Sequence, residues 1–272
     1  MMTQRVVTAL LLAPLAIAII LLLPTPVLAV IIAGLCLLAL WEWTRLSGMR
    51  DRRLRAALLA LAMIAFAALW LWRGTIPVWI VIGAGALWWL LALAWLKAFS
   101  FAAAPTRANT LRKLCAGALT VFPAWIGLMQ LHGNAVHGPA WALYVLVLGW
   151  SADSFAYLAG MRWGRRKLAP NISPGKTWAG VYGGLAATAA VAAVGGWLLD
   201  VRDMQLFALV VLALLCVCFS VVGDLFESLI KRHAGVKDSG ALFPGHGGVF
   251  DRLDGIFAMV PLFVIGKALL GL

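Results

Sequence analysis

Apolar runs of about twenty residues, separated by short polar loops, make up most of this chain. A bilayer core about 30 Å thick is crossed by a helix of about 20 apolar residues. The runs predict nine spans, near residues 6–23, 26–42, 56–72, 77–96, 114–131, 140–160, 178–199, 205–230 and 254–271. Basic residues test that count, because one added or missed span inverts every loop after it. With the N-terminus inside, Arg5, Arg45 to Arg55, Lys97 to Lys113, Arg162 to Lys176 and Lys231 to Arg252 share one side, leaving only Arg73, Arg202 and Lys267 elsewhere. The expected fold is an all-α polytopic integral membrane protein of about nine transmembrane helices, N-terminus in and C-terminus out, with a polar site on the cytoplasmic side.

Composition agrees: 64% of residues are hydrophobic and mean hydropathy is +0.99, far above soluble usage. The net charge of +12 sits in short loops, as topology and anionic headgroups require, and no nucleic-acid module carries it, so nucleic acid is not an expected partner. The same positive field would concentrate an anionic soluble substrate. The first apolar run is longer than a signal-peptide core and lacks a convincing cleavage site, so it reads as a retained span. Cys36, Cys115, Cys216 and Cys218 lie in predicted spans without zinc spacing and read as small buried hydrophobes. Trp41, Trp43, Trp70, Trp72 and Trp79 fall near span ends, where indoles favour the membrane interface.

Polarity divides the chain in two, a scaffold over 1–131 and a catalytic region over 132–272. Five of the ten carboxylates lie between Asp224 and Asp254, and charge in or near a bilayer marks a functional site by default. On a helix, Asp224, Glu227, Ser228 and Lys231 form one stripe, with Glu227–Lys231 pairing as the plain alternative. Asp153 lies about as deep in the sixth span as Asp224 does in the eighth. Glycines 240, 245, 247 and 248 free the backbone to cradle phosphate oxygens, with Lys237, His246 and Arg252 as further donors. Asp251 and Asp254, three apart at a helix start, can hold hard divalent cations, and one of them can serve as N-cap. Asn171 to Thr177 offers Ser173, Lys176 and Thr177 to a phosphate from a short loop. It is not a P-loop, since Pro170 stands where the first glycine belongs and no strand is expected before it. Gly180-x-x-x-Gly184 would let another backbone approach closely, within the chain or in a homodimer. Together these groups describe Mg2+-assisted phosphoryl or nucleotidyl transfer.

Ser228-Leu-Ile-Lys-Arg232, Lys237-Asp238, Gly240, Phe243-Pro244, His246-Gly-Gly-Val249 and Asp251-Arg-Leu-Asp254 resemble the C-terminal signature of the phosphatidate cytidylyltransferases, and Ser173-Pro-Gly-Lys-Thr177 resembles a second motif of that family. The resemblance extends over nearly the whole chain to the bacterial members. It implies transfer of CMP from CTP to phosphatidic acid in phospholipid biosynthesis, yielding CDP-diacylglycerol and pyrophosphate, at a bacterial inner membrane. It implies Mg2+, with two divalent ions or an added monovalent cation. Asp224, Asp251, Lys237 and Asp254 become catalytic candidates, and Asp224, Asp251, Asp153 and Asp254 metal candidates. Ser173, Lys176, Thr177, Ser228, Lys231, Arg232, His246, Gly247, Gly248 and Arg252 become substrate contacts. Ala179 stands where members often carry Glu, so a carboxylate there has no counterpart. The competing readings are a CTP-dependent lipid kinase resembling dolichol kinase and an ion-coupled transporter built on Asp153 and Asp224.

Overall fold

The computed structural model describes residues 13–240, 242 and 247–272. Among them are nine helices: α1 (Ala13–Leu22), α2 (Thr25–Leu46), α3 (Arg52–Leu71), α4 (Ile76–Lys97), α5 (Arg107–His132), α6 (Gly138–Trp163), α7 (Trp178–Leu198), α8 (Asp203–His233) and α9 (Phe250–Leu269). Seven, α2 to α8, are long and apolar enough to cross a membrane. The chain is a polytopic membrane protein. α9 has 20 residues but carries Asp251, Arg252, Asp254 and Lys267, which dilute its apolar character. The first expected span begins at residue 6, so part of it lies outside the described residues, as do Arg5, Phe243, Pro244, Gly245 and His246.

One element departs from an all-helical fold. β1 (Lys167–Ala169) and β2 (Ser173–Thr177) form an antiparallel hairpin between α6 and α7, pairing Lys167 with Thr177 and Ala169 with Ser173. The motif around Lys176 is therefore a strand rather than a loop, and a strand does precede it. Three residues are too few to show alternation, and Pro170 marks only the turn. Arg232 at the end of α8 donates from Nε to the Ile172 carbonyl at 3.2 Å and ties the hairpin to the bundle.

Small residues set the closest helix contacts. A β-carbon on Gly180 or Gly184 would stand 2.8 Å from the Ala156 carbonyl oxygen or 3.0 Å from that of Ala152, so the spacing brings α7 onto α6 of the same chain. The α8–α9 seam repeats this: a β-carbon on Gly223 would lie 2.6 Å from the Asp254 carbonyl oxygen. The residues next to these contacts, Asp224 and Asp254, are thereby drawn together.

The core beneath the site is aromatic. Trp43 of α2 stacks on Phe250 of α9 at 4.7 Å and on Phe226 of α8 at 6.1 Å, and its Nε1 donates to the Lys113 carbonyl at 2.7 Å. Trp88 and Trp95 of α4 meet Phe226 edge-on. Trp43, expected at the interface, is 1% exposed. Its indole has a buried carbonyl partner and three neighbouring helices to fill, which outweighs the interfacial preference. Cys216 is buried and Cys218 exposed, as two residues apart on a helix require. All four cysteines are free.

Candidate active site

The site lies at one end of the bundle, where the C-terminal part of α2, the C-terminal half of α6, the hairpin, the C-terminal end of α8 and the start of α9 meet. Contacts across that end collect the basic segments. Arg45 donates to the Ser239 carbonyl at 2.7 Å, Arg55 to Thr44 Oγ1 at 2.9 Å, and His233 Nε2 lies 2.6 Å from the Phe99 carbonyl.

On α8 the stripe forms as the helical period dictates. Asp224 is half-buried, and its Oδ2 meets Lys176 Nζ of β2 at 2.6 Å. Ser228 Oγ donates to Asp224 Oδ1 at 3.4 Å. Lys231 Nζ reaches Glu227 Oε2 at 3.0 Å and Asp251 Oδ1 at 2.5 Å. The i,i+4 pair therefore exists, but its ammonium also bridges to α9, so α8 and α9 are joined by charge.

Asp251 is the most heavily bonded carboxylate of the site. Besides Lys231 on Oδ1, its Oδ2 accepts from Ser239 N at 2.9 Å and Gly248 N at 2.8 Å, and stands 2.9 Å from Ser239 Oγ, whose one proton it shares with Glu42. Gly247 has φ +81°, a conformation that favours glycine, and a β-carbon there would press on Asp251 Oδ2 at 2.5 Å. The N-cap expected from Asp251 or Asp254 is absent: Val249 holds that position without a side-chain cap. The free N–H groups are satisfied from α2. Glu42 accepts from Val249 N at 3.0 Å, Phe250 N at 2.9 Å and Ser239 Oγ at 2.8 Å.

Asp254 lies one turn beyond Asp251 and is poorer in donors. Gly255 N gives it one hydrogen bond at 2.7 Å. Its carboxyl stands within hydrogen-bonding reach of Glu227, whose Oε1 is buried with no donor among the described residues. Asp254 also interacts electrostatically with Asp224 and Lys176, and Asp153 with Asp224, Lys176 and Arg252. Asp153 lines a small cleft between α6, α7 and α8. Asp153 and Asp254 thus each lie within electrostatic range of Asp224, with Glu227 beside Asp254. Among the described residues no three Asp, Glu, His or Cys side chains stand together as a ready-made metal cage.

The substrate candidates divide. Lys176, Lys231 and Ser228 point into the carboxylate group through the contacts above. Thr177 is buried and caps α7 by accepting from Gly180 N at 3.1 Å. Lys237 and Arg252 are exposed at the same end, Gly248 is buried in the turn, and Ser173 begins β2. Sequence reasoning left Glu42 with the scaffold. The signal that could have found it was an acidic residue at the end of an apolar run, one turn from Arg45.

Comparison with known proteins shows the family. A model described as the cytidylyltransferase family matches residues 3–269. A Pseudomonas aeruginosa protein named phosphatidate cytidylyltransferase is 40% identical over 266 residues, covering 97% of this chain and 96% of the relative. Proteins of the same name from Haemophilus influenzae, 34% identical with 97% of each chain covered, and Brucella abortus, 36% identical over 84% of this chain and 80% of the relative, are also similar. A match over nearly the full length, including both polar motifs, means that the chain belongs to the cytidylyltransferase family and is a nucleotidyltransferase.

Proposed function

We propose that this protein transfers the cytidylyl group of CTP to phosphatidate at the cytoplasmic face of a bacterial inner membrane. A phosphate oxygen of phosphatidate attacks the α-phosphorus of CTP, the bond from that phosphorus to the β-phosphate bridging oxygen breaks, and pyrophosphate leaves. CDP-diacylglycerol remains in the bilayer. The observation carrying this reading is the gathering of Asp153, Asp224, Glu227 and Asp254 with Lys176 and Lys231 at one end of an apolar bundle. A lipid with two acyl chains leaves a bilayer at great cost, so such an enzyme brings its charged site to the membrane surface.

A divalent cation suits these residues. Glu227 Oε1 is buried beside Asp254 without a donor among the described residues, and there the carboxylates outnumber the ammonium groups touching them. Mg2+ would be held by Asp224 and Asp251, with Asp153 and Asp254 adding oxygens and substrate phosphates filling the remaining positions, as is usual for this ion. A divalent ion held there would supply electrostatic stabilisation of the charge that develops on the departing pyrophosphate. The chain's own part is positioning. Lys176 and Lys231, whose ammonium groups now rest on Asp224 and Asp251, are placed to turn toward phosphate oxygens. Arg232, Lys237 and Arg252 are exposed and would attract an anionic substrate arriving from water.

The purified protein, given phosphatidate and radiolabelled CTP with Mg2+, is expected to yield labelled CDP-diacylglycerol and pyrophosphate, and EDTA is expected to abolish both. Formation of CDP and a phosphorylated lipid alcohol instead would identify a lipid kinase and sink the proposal.

A further inference from the structure

Glu42 stands alone in its half of the chain as a buried acid, 8% exposed at the C-terminal end of α2. Among the described residues, the hydrogen bonds its carboxylate accepts come from one distant segment: Ser239 Oγ, Val249 N and Phe250 N. The last two are orphan donors of the first turn of α9, which has no capping side chain of its own. Arg45, one turn further along α2, grips the Ser239 carbonyl. Ser239 N in turn donates to Asp251 Oδ2, and the single Ser239 hydroxyl proton lies between Glu42 Oε2 and Asp251 Oδ2, 2.8 and 2.9 Å from Oγ. β-Carbons on Gly240 and Gly248 would collide with the Glu42 carboxylate, so both glycines pack directly against it. A hydrocarbon side chain would join α2 to α9 without desolvating a charge. It could not accept three hydrogen bonds from a turn.

We infer that Glu42 is a positioning residue for nucleotidyl transfer: a carboxylate supplied by α2 that templates the glycine turn and, through Ser239 and the start of α9, fixes Asp251. The inference rests on the reaction proposed above. Glu42 is placed to act through these groups, and the structure shows it touching no substrate atom.

The test compares full-length wild type, Glu42→Gln, Gly248→Ala and the Glu42→Gln/Gly248→Ala double variant in detergent. Kinetics are read beside hydrogen exchange of the 239–250 amides. Gln keeps the size of Glu but cannot accept at both ends. It is expected to lower kcat by about 10–100-fold, the scale of an ångström-sized misplacement, while the KM for CTP changes far less. Amides 248–250 are expected to lose protection while the rest of α2 keeps its own. Gly248→Ala strikes the same contact from the other side, so the double variant is expected to lose no more than Gly248→Ala combined with a small remainder, a non-additive cycle. Undiminished kcat in Glu42→Gln, unchanged exchange at 248–250, or losses that multiply would each overturn the inference. If Glu42→Gln does not fold, Gly248→Ala decides: wild-type kcat in that variant overturns it. If the wild type itself makes no cytidylylated lipid, the proposed reaction fails, and the exchange data alone judge whether Glu42 templates the turn.

Discussion

Asp251 and Asp254 are one turn apart on α9 and live under opposite conditions. Asp251 accepts from Lys231 and two backbone N–H groups and shares a serine hydroxyl with Glu42, which itself takes the Val249 and Phe250 N–H groups at the start of the helix. Asp254 has one backbone donor and faces Glu227, whose outer oxygen has none among the described residues. A carboxylate supplied with donors holds structure in place. A group of carboxylates short of donors attracts cations, because each unpaired buried charge costs several kcal/mol. Asp251 belongs to both regions, since Oδ2 is fixed in the turn and Oδ1 meets only an ammonium group.

The contrast is broken most directly by removing charge from the donor-poor side. Asp224→Asn keeps the side chain's shape and the helix. It is expected to lower turnover by on the order of 10²–10³-fold, as losing one transition-state electrostatic contact does, with an unchanged melting temperature. Wild-type turnover in a steady-state assay would remove Asp224 from the reaction. Lys231→Met tests the bridge between the two sides. It strands Glu227 and Asp251, whose side chains are 1% and 6% exposed, and breaking such a buried pair costs roughly 3–5 kcal/mol. Activity and thermal stability are therefore expected to fall together, unlike Asp224→Asn. A variant that lost activity alone would mean that the ammonium serves substrate and not structure. Gly223→Ala acts on the spacing itself: its β-carbon meets the Asp254 carbonyl, and overpacking costs roughly 1–3 kcal/mol. A smaller loss of turnover is expected, read against a melting curve, and none at all would mean that the α8–α9 distance is uncritical.

How far the sequence revealed this follows from the range of each signal. Apolar runs are local, and the helices match them to within a few residues except where polar ends extend them, as in α5 and α8, which begin or finish on charged turns. The α8 stripe was legible because i, i+3, i+4 and i+7 follow from helical geometry. The hairpin was not, since its pairing joins two short polar strands across Pro170. Glu42 was missed for a different reason. Its partners are about 200 residues away, and a lone acid at a span end looks like any interfacial charge until Val249 and Phe250 are placed beside it. Trp43 failed similarly, because its position near a span end says nothing of the three helices that bury it.

The smallest expected effect separates a capping role from a catalytic one on the donor-rich side. Thr177 was a candidate phosphate contact, yet it is 5% exposed and its Oγ1 accepts from Gly180 N, closing the first turn of α7 immediately after Lys176. Thr177→Ala removes that cap and is expected to cost roughly 1 kcal/mol of stability, with Lys176 and so turnover disturbed only modestly. Thr177→Ser restores the oxygen and should recover both. The decisive measurement is the KM for CTP across Thr177→Ala and Thr177→Ser. A cap leaves it nearly constant, whereas a hydroxyl bound to phosphate raises it in Ala and returns it in Ser. A large KM rise in Ala without loss of stability would move Thr177 from the framework into the nucleotide site.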